Sequence, residues 1–85
     1  MHIINRTDVE ASYTLKGGPL MMILSYCDLD PGEEEEWVTP RWAGSAPLKL
    51  EVEVRVGDAV QVAQSSPEQT VWIEGTTDSW SLRVE

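Results

Sequence analysis

Phenylalanine is absent from this 85-residue chain, and cysteine and histidine each occur only once. A single cysteine, Cys27, excludes an intramolecular disulfide, the usual reinforcement of small secreted domains with thin cores. One histidine, His2, together with one cysteine is also too few for the usual ligand set of a zinc site within one chain. No apolar run approaches the ~20 residues that span a bilayer. The sequence therefore predicts no zinc, no disulfide and no membrane span.

Length and the N-terminal residues set the expected organisation. A chain of 85 residues predicts a single domain over residues 1–85. Its first residues lack the apolar region of a secretory signal peptide. We therefore expect a cytoplasmic protein, with secretion without a visible signal as the alternative.

Basic residues are scarce: six lysines and arginines stand against fifteen acidic residues, giving a formal charge of −9. The six are scattered singly along the chain, whereas nucleic-acid binding needs clustered cations. We therefore expect no nucleic-acid partner. Such a charge attracts a basic protein or a cation, or serves only to keep the protein soluble.

Alternating apolar and charged residues dominate residues 48–56 and predict a strand with one buried and one wet face. Gly57 and Asp58 follow, and residues 59–64 then complete a hairpin. A three-residue loop over residues 57–59 places all the valines of both strands on one face, whereas a two-residue turn does not. We therefore predict the three-residue loop.

Several shorter segments also have strand patterns. Alternation at residues 11–16 and 79–84, a β-rich run at 70–74 and the pair Ile3 and Ile4 each predict one. Residues 20–24 are continuously apolar, as in a strand covered on both faces. Residues 30–37 predict a turn followed by a strand, and residues 66–69 form a capping-box pattern with room for one helical turn at most. The expected fold is all-β: a single antiparallel β-sandwich, Ig-like or jelly-roll-like, of about seven to eight short strands.

The residues needed for catalysis are missing from the sequence. Cys27 as a nucleophile requires a base, and nothing in the sequence places it near His2. The chain has no nucleophile elbow, phosphate-binding glycine loop or nucleotide fingerprint. We therefore expect a non-enzymatic protein without a cofactor.

The densest acidic region is a weak calcium candidate. Asp28, Asp30 and Glu33 offer the hard oxygen ligands that Ca²⁺ prefers. Their spacing does not match the EF-hand pattern, and the run at residues 33–36 alternates between faces when it forms a strand. A solvated acidic run is the favoured interpretation, and a bound Ca²⁺ is the alternative.

Tryptophan is abundant, with four residues in the chain. Trp80 alternates with apolar neighbours and is expected in the core, whereas Trp72 has to face away from Val71 and Ile73. Trp37 and Trp42 flank Arg41 in a turn-rich region, and aromatic residues with arginine are typical of interaction hot spots. The candidate binding surface is accordingly formed by Trp37, Arg41, Trp42 and Trp72. The alternative for Trp37 and Trp42 is that they cap the open end of the sandwich as part of the core.

Two functions remain compatible with these features. The first is a non-enzymatic acidic interaction module that self-associates or binds a protein partner. The alternative is a small-ligand binder, lectin-like or cytolysin-like, that contacts a carbohydrate or a lipid headgroup through exposed tryptophans.

Overall fold

The computed structural model describes residues 1–38 and 49–85, which form eight strands and no helix. The strands are β1 (His2–Arg6), β2 (Ala11–Gly17), β3 (Met22–Leu29), β4 (Glu34–Glu36), β5 (Leu50–Val56), β6 (Ala59–Ser65), β7 (Thr70–Thr76) and β8 (Ser79–Val84). The prediction of an all-β chain is confirmed for these residues.

The strands form two four-stranded sheets with the orders β4-β1-β7-β8 and β3-β2-β5-β6. The second sheet is antiparallel throughout, but β1 and β7 pair in parallel in the first. The prediction of a purely antiparallel fold is therefore wrong. Hairpin turns force antiparallel pairing only between consecutive strands, and β1 and β7 are joined through most of the chain.

One hydrophobic core joins the two sheets. The buried residues alternate along the strands as the sequence predicts, because successive side chains point to opposite faces. The core cluster consists of Met1, Ile3, Ala11, Tyr13, Leu15, Leu29, Leu50, Val52, Val54, Val56, Val71, Ile73 and Trp80. Since both sheets contribute to this cluster, the architecture is compatible with a β-sandwich.

The β5–β6 hairpin has the shorter of the two possible loops. Val56 pairs with Ala59 and Val54 with Gln61, so residues 57–58 alone form the turn. The three-residue prediction is therefore wrong, and the valines of β6 lie on the outer face. Inward placement of Gln61 is tolerated because its Nε2 donates a 2.7 Å hydrogen bond to the Trp80 carbonyl, so the polar group is satisfied.

The sequence predicts that the apolar run at residues 20–24 is covered on both faces, and this prediction is wrong. The run forms the end of the β2–β3 turn and the start of β3, which is an edge strand. The β2–β3 register shifts between Leu15 and Lys16, so Leu24 is an extra residue in a β-bulge. Leu24 packs against the core, whereas Met22 and Ile23 are exposed. Burial in this chain therefore accounts for Leu24 but not for Met22 and Ile23.

Two turns use the same local hydrogen bonds. The Glu33 carboxylate accepts from the Asp30 amide, and the Glu33 amide donates to the Asp30 carbonyl. Gln69 and Ser66 repeat both bonds. The first turn leads into β4, as predicted, and the second forms no helical turn before β7 begins.

Candidate interaction surface

The tryptophans do not converge on one surface in the described residues. Trp80 is buried in the core, and Trp37 is partly buried against it. The Trp37 main chain pairs with Met1 on both sides, as donor to the Met1 carbonyl and as acceptor from its amino group. Arg41 and Trp42 lie outside the described residues. Trp37 follows β4 and packs against the core, whereas Trp72 lies within β7.

Trp72 lies on the outer face of the first sheet beneath an arginine. The Arg83 guanidinium carbon is 4.0 Å from the centroid of the Trp72 ring, a cation–π contact. Arg83 Nε also donates a 2.7 Å bond to Glu74, and Arg83 pairs with Glu85. The Arg83 hydrogen bond lowers the pKa of Glu74, and bonds to both carboxylates raise the pKa of Arg83. Three charged side chains thus satisfy one another around this indole.

The acidic residues proposed as calcium ligands make local hydrogen bonds of their own. Asp28 Oδ1 accepts from the Ser12 hydroxyl at 2.6 Å, and Glu33 Oε1 accepts from the Asp30 amide at 2.7 Å. Among residues 1–38 and 49–85, no three histidine, cysteine or acidic side chains are grouped so as to hold a metal ion. Asp28, Asp30 and Glu33 are therefore not brought together as a ligand set.

Cys27 and His2 have different neighbours. The Cys27 thiol lies 3.4 Å from the Asp28 carbonyl, whereas His2 Nε2 lies 3.5 Å from Glu34. Burial, followed by the negative charges of Glu35 and Asp28, raises the pKa of the Cys27 thiol. A raised pKa leaves less thiolate at neutral pH, which is the opposite of nucleophile activation.

The pocket found in the described residues lies at the start of β1 and β7. It measures about 240 Å³ and is lined by Met1, His2, Glu36, Pro67, Glu68, Gln69 and Thr70. Small-molecule sites usually occupy ~300–1,000 Å³ and are mostly apolar. This open, polar depression is small for such a site.

Among residues 1–38 and 49–85, no helix is long and apolar enough to cross a bilayer.

The largest exposed apolar side chains cluster on the β2–β3 hairpin. We call Leu20, Met21, Met22, Ile23 and Tyr26 the β3-edge patch. Leu20 is 82% exposed, and Ile23 and Tyr26 are each 66% exposed. Met21 has a φ of 49°, an uncommon conformation for a residue other than glycine. The chain thus holds these apolar side chains in solvent at the end and edge of one hairpin.

Tyr26 lies in a cross-strand row that runs over the whole outer face of the second sheet. It pairs with Thr14, which pairs with Glu53, which in turn pairs with Val62 at the opposite edge. The interior of the row is polar, and its two ends are apolar. Val62 is 54% exposed and is the natural counterpart of Tyr26 on the other edge.

The β3-edge patch differs from the sequence-based expectation, because the apolar pattern of residues 20–24 predicts a covered strand. A signal was present: the run directly follows Gly17, Gly18 and Pro19, which predict a turn. Residues next to a turn lie at the end of a sheet, where the opposite sheet rarely covers them.

The comparisons with known proteins add nothing to the site. No protein-family model, no curated protein and no solved structure matches the chain. The function of the chain is therefore inferred from its own geometry.

Proposed function

We propose that this chain is a non-enzymatic interaction module whose contact surface is the β3-edge patch. The single observation that supports the proposal is the exposure of five large apolar residues on one hairpin. The proposal needs only the two-sheet architecture and applies equally to an Ig-like and a jelly-roll-like topology.

The extent of the patch supports a binding role. Monomeric soluble proteins rarely expose contiguous apolar patches of more than a few hundred Å², and larger ones mark interaction sites. The five side chains are between 41% and 82% exposed and lie close together in the sequence of one hairpin, so they present apolar surface to solvent there. Apolar exposure on this scale is unfavourable in water, and binding removes it.

The position of the patch on an edge strand supports the same role. Among the strands of residues 1–38 and 49–85, β3 has β2 as its one neighbour, so its other side presents main-chain donors and acceptors. Many protein modules bind an extended segment at such an edge, with main-chain bonds giving affinity and side chains giving specificity. A patch that combines apolar side chains with a free strand edge suits a protein partner better than a small ligand.

A photo-crosslinking experiment tests the proposed surface. p-Benzoylphenylalanine is introduced at Leu20 in the patch and, as the matched control, at Val62 on the opposite edge. In cells, position 20 is expected to give discrete protein adducts on irradiation and position 62 to give none. A position 20 variant that folds but yields no protein adduct contradicts the proposal.

The lipid-headgroup alternative has one observation in its favour. The two lysines of the chain are near the patch in the pairing scheme: Lys16 pairs with Ile23, and Lys49 precedes Leu50, which pairs with Gly17. The charge of −9 opposes binding to anionic membranes. Co-sedimentation with zwitterionic and anionic vesicles tests this alternative. Binding that is abolished by Leu20→Gln supports it, and the absence of binding to both vesicles rejects it.

A further inference from the structure

We propose that the partner seated on the β3-edge patch is a second copy of this chain, which pairs antiparallel with β3 across a two-fold axis near Tyr26. The two second sheets then form one continuous eight-stranded sheet. This inference rests on the proposed interaction function and names its partner. A two-fold interface uses the same surface on both subunits, so it requires that the edge of β3 around Tyr26 be complementary to itself.

The edge strands of the described sheets differ in charge. β4 consists of three glutamates, so a second copy placed there brings carboxylates together. β8 carries Arg83, which is already engaged with Glu74. In contrast, β3 has one charged residue, Asp28, near its end. Along β3 itself a second copy therefore meets one carboxylate, whereas the charges of Glu35 and Glu33 act on Cys27 from outside the strand.

β6 is an edge strand without any charged residue, but the opposite sheet partly covers it. Gln61 of β6 donates to the Trp80 carbonyl of β8, which ties these two edges together. Its exposed apolar residues are two valines, Val60 and Val62, which are smaller than the residues of the patch. β6 therefore serves as the control edge for tests of β3.

Pairing centred on Tyr26 suits the charges that remain. Tyr26 then lies opposite Tyr26 of the second copy, and the two Asp28 residues are four places apart along the strands. At ~3.4 Å per residue this is about 14 Å, more than the Debye length of ~8 Å at physiological salt. Asp28 of the second copy lies opposite residue 24, beside Ile23, whose β2 neighbour is Lys16. The arrangement separates the two Asp28 carboxylates and places each of them two strands from Lys16, which pairs with Glu53.

The side chains on the outer face are also compatible with this pairing. Two tyrosines directly opposite each other form an aromatic cross-strand pair, a favourable arrangement in antiparallel sheets. The bulge at Leu24 interrupts regular geometry on one side, so the new ladder is expected to centre on residues 25–27. In this register Ile23 and Met22 lie opposite Leu29 and Asp30 of the second copy, at the end of the new ladder.

Disulfide trapping tests the two-fold pairing directly. Directly opposite residues in an antiparallel pair have Cα atoms ~4.5–5.5 Å apart, within the ~4.4–6.8 Å range of disulfides. Tyr26→Cys is made together with Cys27→Ser, which removes the native thiol. The matched control is Val62→Cys with Cys27→Ser, because Val62 is exposed in the same row at the opposite edge. Mild oxidation is expected to give a covalent dimer from the first variant only.

Sedimentation equilibrium supplies a second measurement on the unmodified chain. We expect a monomer–dimer equilibrium whose dissociation constant rises about tenfold or more with Tyr26→Lys and by less than about twofold with Val62→Lys. Circular dichroism verifies that each variant is folded. A wild-type chain that is monomeric at all concentrations overturns the inference, as does equal cross-linking of both cysteine variants.

The results distinguish failure of this inference from failure of the proposed function. If position 20 gives protein adducts and the chain is monomeric, the interaction module is supported and the second copy is rejected as its partner. Adducts that appear only with vesicles present reject both in favour of the lipid surface. No adduct at position 20 and no dimer reject both without a replacement.

Discussion

The Arg83 guanidinium lies over the ring of Trp72 and is hydrogen-bonded to Glu74, which joins an aromatic and a carboxylate through one cation. We expect Arg83→Gln to lower the urea midpoint of unfolding and to change Trp72 fluorescence. Arg55→Gln, at an exposed position of β5, is the control and is expected to change neither.

The effect of Arg83→Gln is expected to depend on pH. Because Arg83 lowers the pKa of folded Glu74, the pair stabilises the fold above the unfolded pKa of the glutamate, and this part is lost as the pH falls through the folded pKa. The difference between wild type and variant should therefore shrink in acid. It should not vanish, because the cation–π contact persists while arginine remains charged. A difference that grows as the pH falls contradicts this account.

Asn5 is fully buried and makes four hydrogen bonds through its side chain. Its Nδ2 donates to the carbonyls of Val9 and Leu29, and its Oδ1 accepts from the amide and hydroxyl of Thr7. Asn5→Ala removes all four bonds, and only the Thr7 hydroxyl and the Val9 carbonyl keep a bond, to each other, so we expect a loss of about 2–4 kcal/mol in the free energy of unfolding. Ser12→Ala removes one exposed hydrogen bond to Asp28 and is expected to cost less than about 1 kcal/mol. Urea denaturation compares them, and equal losses contradict the prediction.

Gly75 is positioned where a side chain does not fit. Its φ is 119°, and an added Cβ lies 2.2 Å from the Ser79 carbonyl oxygen in the facing strand. We expect Gly75→Ala to destabilise the fold by about 3 kcal/mol or more. Gly57 also has a positive φ but has open space around it, so Gly57→Ala should cost only about 1–2 kcal/mol. Similar thermal midpoints for the two variants contradict the steric argument.

Salt dependence distinguishes self-association from attraction to a basic partner. Two copies of a chain with charge −9 repel each other at long range, and salt screens this repulsion. The dissociation constant of the proposed dimer should therefore fall as NaCl is raised from about 0.05 M to about 0.5 M. At the lower concentration the Debye length exceeds the ~10 Å found at 0.1 M, so the repulsion is least screened there. Sedimentation equilibrium across this range measures the effect. Association that weakens with salt instead points to opposite charges across the interface.

Strand patterns were predictable because burial in a sheet leaves a period of two in the sequence. In β2, β5 and β8 every second residue faces the core, and the sequence alternates accordingly. The β5–β6 register was not predictable by the same rule, since Gln61 lies inside and satisfies its polar group on the Trp80 carbonyl. That bond joins residues 19 positions apart and leaves no local pattern.

The candidate surface was harder to predict than the fold. An apolar run signals burial only when the fold supplies something to cover it, and strand order decides which strands lie at an edge. Residues 22–24 became exposed or bulged because β3 is an edge strand, a property of the whole topology. Asn5 was equally hidden, because its partners at Val9 and Leu29 meet only in the folded chain.

Amide hydrogen exchange of the edge strands β3 and β6 tests the central claim most directly. Half of the amides in an edge strand point away from the sheet and exchange freely unless a partner strand accepts them. We predict that amides near Tyr26 in β3 become protected as the concentration of the pure protein rises, while those around Val62 in β6 stay unchanged. Fast exchange in β3 at every concentration, or equal protection of both edges, would contradict pairing of two copies through β3.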